Sequence, residues 1–115
     1  MTDVDCTDLP HIPLAQRPSV SPAVRDRAAR MLSAAGEPSR LALLEQLEGR
    51  ELCVSDLVHI TGDPMPTISQ RLRVLKTEGL LRSRREGKHV FYTLADGHVQ
   101  ELLRNILRHA AELAG

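Results

Sequence analysis

From Asp96 to Leu113 the apolar residues Val99, Leu102, Leu103, Ile106, Leu107, Ala110 and Leu113 recur at three- and four-residue steps. That is the period of an amphipathic helix with one broad apolar face. Earlier stretches repeat the pattern in shorter runs. Ser21 before Pro22 reads as an N-cap followed by proline at the first helical position, and Val24, Ala28, Met31, Leu32 and Ala35 form the inner stripe of a first helix that Gly36 ends. Pro38 opens a second helix with Leu41, Leu44 and Leu47, closed by Gly49. A short third helix is expected from about Val54 to Thr61, with Leu57, Val58 and Ile60 turned inward. The turn Gly62-Asp63-Pro64-Met65 separates it from a fourth helix expected to begin at Pro66, since a residue before proline is pushed out of helical geometry. Ile68, Leu72 and Leu75 are the buried side of that fourth helix.

After Gly79 the period changes. Leu81 to Arg85 and His89 to Leu94 read as two short strands joined through Glu86-Gly87-Lys88, a β-hairpin with a basic tip. Residues 1–21, with Pro10, Pro13 and Pro18 and no sustained period, read as an N-terminal arm, leaving 22–115 as one domain. The expected fold is mainly α with a small β-hairpin. Two short helices joined by a tight turn and followed by a hairpin make a winged helix-turn-helix.

Composition adds little until its distribution is considered. The 115 residues carry no net charge, yet Arg71, Arg73, Lys76, Arg82, Arg84, Arg85 and Lys88 face only Glu78 and Glu86 between positions 71 and 88, a local balance of +5. A basic segment over the fourth helix and the wing suits a polyanion. A helix fits the major groove, where Gln70 and the arginines Arg71 and Arg73 can read base edges and Thr67 and Ser69 can reach bases or phosphates. Arg84, Arg85 and Lys88 on the wing are placed to neutralise backbone phosphate. Phe91 and Tyr92 are the whole aromatic complement and are expected to pack on the core, so binding of single strands by base stacking has little to work with. No apolar run is long enough for a membrane span and the first residues lack a charged-then-apolar signal pattern, so a cytoplasmic location is expected. Cys6 and Cys53 do not make a secreted disulfide framework; they read as buried thiols or ligands.

The final helix also carries candidate chemistry. Asp96 and His98 stand at its start, His109 and Glu112 near its end. Eleven helical steps return His98 and His109 to within roughly 20° around the axis but leave them roughly 16 Å apart along it. Metal-to-nitrogen bonds are about 2 Å, so one ion cannot take both imidazoles from one helix. If the helix packs antiparallel on its copy in a homodimer, Asp96 and His98 of one subunit meet His109 and Glu112 of the other, giving two equivalent sites. Taken singly, Asp96 is more often an N-cap than a ligand, a histidine on a helix edge is usually solvated, and Glu112 reads as a surface charge; the four in this register point to a metal.

The chain resembles the ArsR/SmtB family of metal-sensing winged-helix repressors over roughly residues 23 to 113. The resemblance is carried by Glu37-Pro38-Ser39-Arg40-Leu41, Glu51-Leu52-Cys53-Val54-Ser55-Asp56-Leu57, Ile68-Ser69-Gln70-Arg71-Leu72, Gly87-Lys88-His89-Val90-Phe91-Tyr92, and Asp96-Gly97-His98 with His109 and Glu112. It implies a homodimeric transcriptional repressor, paired through its N- and C-terminal helices, that binds double-stranded operator DNA and leaves it when a divalent ion binds. In zinc-responsive members the regulatory ligands fall on Asp96, His98, His109 and Glu112 of this chain, two from each subunit. Zinc suits that thiolate-free donor set, with Co2+, Ni2+ and Cd2+ as alternatives. The resemblance also implies a second site joining the third helix to the other subunit's arm, with Cys53, Asp56 and Cys6 as ligands and His11, Asp5 or Asp8 completing it. Members that sense soft metals place a second cysteine where this chain has Ser55.

Two other readings compete. In one, Cys6 and Cys53 sense oxidants or arsenite and the final-helix residues are structural. In the other, a zinc ion with an open water position makes the chain a hydrolase. The sequence offers no separate general base or pocket-forming motif for the hydrolase, so the chain is not expected to be an enzyme.

Overall fold

The computed structural model describes residue 10 and residues 12–115. Its elements are α1 (Pro22–Ala35), α2 (Pro38–Gln46), β1 (Leu52–Cys53), α3 (Val54–Thr61), α4 (Met65–Thr77), β2 (Leu81–Glu86), β3 (His89–Leu94) and α5 (Gly97–Ala114). Residues 12–20 carry no helix or strand.

Local chemistry sets most of the boundaries. Ser21 Oγ accepts from the Val24 N–H at 3.3 Å and caps α1, and the Gly36 N–H closes it on the Leu32 carbonyl. Glu37 caps α2 by accepting from the Arg40 N–H at 2.9 Å, and the Arg40 Nε donates to the Ala34 carbonyl at 2.7 Å, which ties the start of α2 to the end of α1. Helix α2 stops at Gln46, short of Gly49. At the end of α3 Gly62 adopts φ 76°, a left-handed position that a side chain resists, and donates to the Val58 carbonyl at 2.8 Å.

Helix α4 starts one residue earlier than expected, at Met65. Pro64 holds the extended conformation, and its carbonyl accepts from the Thr67 and Ile68 N–H groups at 3.1 Å. Pro66 then falls in the first turn, where no intrahelical N–H is needed, so the restriction on Met65 is overcome.

The wing is a three-stranded antiparallel sheet in the order β1-β3-β2, not a bare hairpin. β1 is only Leu52–Cys53, paired as Leu52↔Tyr92 and Cys53↔Phe91. Two residues have no period to detect; the pairing partner makes them a strand. The hairpin closes through Gly87 at φ 60° and Lys88, with Glu86 opposite His89.

The core lies where α2, α3, α4 and the sheet converge. Leu43, Leu44, Leu47, Leu57, Ile68, Leu72 and Leu75 are fully buried, with Leu80, Leu81, Leu94, Val99 and Leu103 around them. Three expectations about burial need correction. Ile60 is 42% exposed, because α3 buries Leu57 and packs Val58 on the core, leaving its far side to solvent. Phe91 does not join the core; Tyr92 packs against it, and strand alternation puts Phe91 on the other face of the sheet. The α1 stripe is not internal to one chain either. Ala34, with Met31 and Ala35, faces the core, whereas Val24, Ala28 and Leu32 are exposed.

Candidate metal centre and nucleic-acid interface

Helix α5 divides its four candidate ligands into two pairs. Asp96 is the N-cap: its Oδ1 accepts from the Val99 N–H at 3.1 Å. That bond, more than the nearby His98, holds the Asp96 carboxyl below its usual range, so it is an ionised acceptor. The His98 Nδ1 lies 3.6 Å from Asp96 Oδ1, and its side chain is almost fully solvated. At the other end His109 Nδ1 lies 4.0 Å from Glu112 Oε2, both side chains being exposed. Among the described residues no group of three His, Cys, Asp or Glu side chains is placed to hold an ion. Each end of α5 thus supplies one imidazole and one carboxylate from neighbouring positions, two donors where a tetrahedral ion takes four. Imidazole nitrogen and carboxylate oxygen suit zinc and other borderline divalent ions.

Between the two pairs runs an exposed apolar stripe, with Leu102 and Ile106 49% and 53% exposed, and Leu113, 76% exposed, continues it past Glu112. An apolar groove lined by Leu32, Ala35, Leu41, Leu102, Leu103 and Ile106 continues it across α1 and the start of α2. The Arg104 Nε donates to Glu48 Oε1, a link between α5 and the end of α2 with no local sequence signal.

The second candidate site is only half within view. Cys6 and His11, with Asp5 and Asp8, lie outside the described residues. Cys53 is a buried free thiol at the N-cap of α3, and its N–H donates to Asp56 Oδ2 at 3.0 Å. This bond is the main reason the Asp56 carboxyl sits below its usual range. Asp56 therefore has a structural task at the start of α3 as well as its place beside Cys53.

On the side facing away from the core, α4 exposes Gln70 and Arg73 and leaves Thr67 and Ser69 half-buried. Arg71 is different: its Nη1 donates to Asp63 Oδ2 at 2.8 Å, and its side chain is 24% exposed. On the wing Arg85 and Lys88 are exposed. Arg84 donates to both Glu51 carboxylate oxygens at 2.8 Å and to Glu86 Oε2 at 2.7 Å, with its guanidinium 4.7 Å above the Phe91 ring. No local pattern marks Asp63 or Glu51 as the acidic partners of these two arginines. Their partners stand 8 and 33 residues away in the cases of Asp63 and Glu51, beyond any helical or strand period.

A tight helix pair that presents polar and basic side chains, backed by a basic three-stranded wing, defines a winged helix-turn-helix DNA-binding domain. Comparison with known proteins gives the class a family. The sequence profile described as "Bacterial regulatory protein, arsR family" matches residues 37–83. A "Transcriptional repressor SmtB homolog" from Synechocystis sp. is 39% identical over 110 residues, covering 91% of this chain and 83% of the relative. A "Cadmium resistance transcriptional regulatory protein CadC homolog" from Staphylococcus aureus is 41% identical over 75 residues, 65% of this chain and 61% of the relative. Among solved structures, a homodimeric winged helix-turn-helix DNA-binding domain from Mycobacterium bovis matches with a TM-score of 0.77 at 31% identity, over 86% of this chain and 92% of that one. The chain belongs to the ArsR/SmtB family of winged-helix repressors. It is a DNA-binding transcriptional regulator and not an enzyme.

Proposed function

We propose that the chain acts as a homodimeric repressor that holds operator DNA in its metal-free state and releases it when zinc, or a similar divalent ion, binds between the two final helices. The observation that carries this reading is the layout of α5: two incomplete ligand pairs at opposite ends of an exposed apolar stripe. A second copy laid antiparallel on that stripe would cover Leu102 and Ile106. It would also bring Asp96 and His98 to His109 and Glu112 of the partner subunit. The homodimeric state of the M. bovis domain and the repressor name of the Synechocystis relative support it.

The two recognition helices of such a dimer must reach successive major grooves, so the angle at which the α5 helices cross sets operator fit. The bound ion supplies a cross-link between subunits. The protein's part is to prefer, with those ligands drawn together, a dimer whose recognition helices fit DNA poorly. A coupling of about 1–3 kcal/mol is typical for such linkage, and DNA must then weaken metal binding equally. His109 can pass the effect on, since a ring nitrogen not used for coordination can donate to a neighbouring group.

The test uses a duplex selected from a random library by the metal-free protein, titrated with zinc, cobalt, nickel and cadmium. His98→Ala and His109→Ala should bind it as wild type does and fail to release it with zinc. Release by both variants at wild-type zinc concentrations, or zinc-independent release by arsenite or peroxide that Cys53→Ser abolishes, would overturn the reading.

A further inference from the structure

We propose that Arg71 and Arg84, though they sit on the two elements that face DNA, are positioning residues: they hold the recognition helix and the wing in place while Arg73, Arg85 and Lys88 meet the phosphates. This rests on the DNA-binding reading and divides its labour among the basic residues.

The helix-turn-helix carries a continuous relay of hydrogen bonds. Thr61 Oγ1 donates to the Leu57 carbonyl at 2.8 Å, the Asp63 N–H donates to Thr61 Oγ1 at 3.1 Å, and Arg71 Nη1 donates to Asp63 Oδ2 at 2.8 Å. The relay starts in α3, crosses the turn and ends two turns into α4. A backbone turn that contains Gly62 has freedom to flex; a charge-assisted bond from its tip to the middle of the next helix removes much of it. The same bond occupies the Arg71 guanidinium on its own protein.

The wing has a parallel device. Arg84 of β2 is opposite Phe91 of β3, and Phe91 is opposite Cys53 of β1, so the three residues form one row across the sheet. Arg84 lies over the Phe91 ring, crossing the middle strand, and grips Glu51 just before β1 with two bonds while Glu86 takes a third. A planar fork that stacks on an aromatic and binds a carboxylate with two donors is the task for which arginine and lysine are least interchangeable. The grip pins the outer strand β2 to a two-residue strand that would otherwise rest on little pairing. Glu51 is held below its usual carboxylate range chiefly by its bonds to Arg84, so the pair is charged at neutral pH. Arg84 is itself exposed, but Arg73, Arg85 and Lys88, also exposed, make no side-chain ion pair among the described residues.

Salt dependence separates holding from touching. Each phosphate contact contributes close to one unit to the slope of log affinity against log salt, whereas an arginine neutralised within the protein contributes none. Binding of a short random-sequence duplex by the full-length protein is measured across salt concentrations, with circular dichroism to verify that each variant folds. Lys88→Gln should flatten the slope by about one unit. Arg71→Lys and Arg84→Lys keep the charge and lose the fork. They should weaken binding about two- to fivefold with the slope unchanged, and Arg84→Gln should behave as Arg84→Lys does. The exchange Asp63→Arg with Arg71→Asp, which rebuilds the pair in reverse, should recover part of the affinity lost in Arg71→Asp alone. Wild-type affinity in both lysine variants, with a slope flattened by one unit in Arg84→Gln, would show phosphate contact and overturn the inference while leaving the DNA-binding reading intact. If the wild-type protein binds no duplex at any salt concentration, both fall.

Discussion

The helix-turn-helix and its wing differ from the outer face of α1 and α5 in one physical respect: the first is complete within one chain and the second is not. Leu57, Ile68, Leu72 and Leu75 are fully buried where α3 and α4 pack, while Asp63–Arg71 ties the turn to α4 and Glu51–Arg84 ties the strands of the wing. On the opposite side, Val24, Leu32, Leu102, Ile106 and Leu113 remain about half exposed or more. The final helix contacts its own chain chiefly through Val99, Leu103 and the Arg104–Glu48 link. The contrast separates roles: the part that faces DNA packs on its own chain, and the part proposed to carry the signal keeps an exposed apolar face that the proposed dimer would cover.

The largest test of this contrast lies in the core. Leu72→Ala, at a fully buried position, should cost about 2–5 kcal/mol of unfolding free energy in urea melts. A loss below about 1 kcal/mol would mean that the DNA-reading unit is less tightly packed than its burial indicates. Next comes Ile106→Glu, at a position 53% exposed in one chain. It should leave the fold of each subunit intact by circular dichroism and shift the protein to monomer in sedimentation, with operator affinity falling as the dimer is lost. A dimer that survives this change would place the subunit contact elsewhere. The smallest effect concerns a helix cap. The Glu37 carboxyl is lowered from its ordinary 4.5, first by the Arg40 N–H and then by the Ser39 N–H, so the folded state binds its proton less readily than the unfolded chain. Stability from this cap is therefore fully present above the unfolded value and is lost as pH falls through the lower folded value. Glu37→Gln should flatten the acid limb of the stability profile in that window and leave neutral-pH behaviour nearly unchanged.

Much of the helical framework was legible because its signals are local. Ser21-Pro22, Gly36, Gly62 and the three-and-four spacing of α5 act within one or two turns of chain, and α3 and α5 begin and end within a residue of where these markers put them. The neighbouring positions of Asp96 and His98 at one end of α5, and of His109 and Glu112 at the other, were legible for the same reason. Their separation along the helix follows from rise per residue, and the chain leaves them apart. Helix α4 begins a residue before its sequence-based start because the Pro64 carbonyl, accepting the helix's first bonds, outweighs the restriction that Pro66 places on Met65. The two-residue β1 and the acids Asp63 and Glu51 that hold Arg71 and Arg84 carried no signal, since their partners are distant in sequence.

Helix order, the hairpin, the clustering of basic residues over α4 and the wing, and the spacing of the candidate ligands are all written in patterns that repeat over a few residues. Only the tertiary structure decided which cations remain available and which are neutralised at home. It also decided which face of α1 looks inward and that a third strand completes the wing. These depend on side chains meeting across 8 to 56 positions of chain, and a local pattern carries no information about such meetings until the core has brought them together.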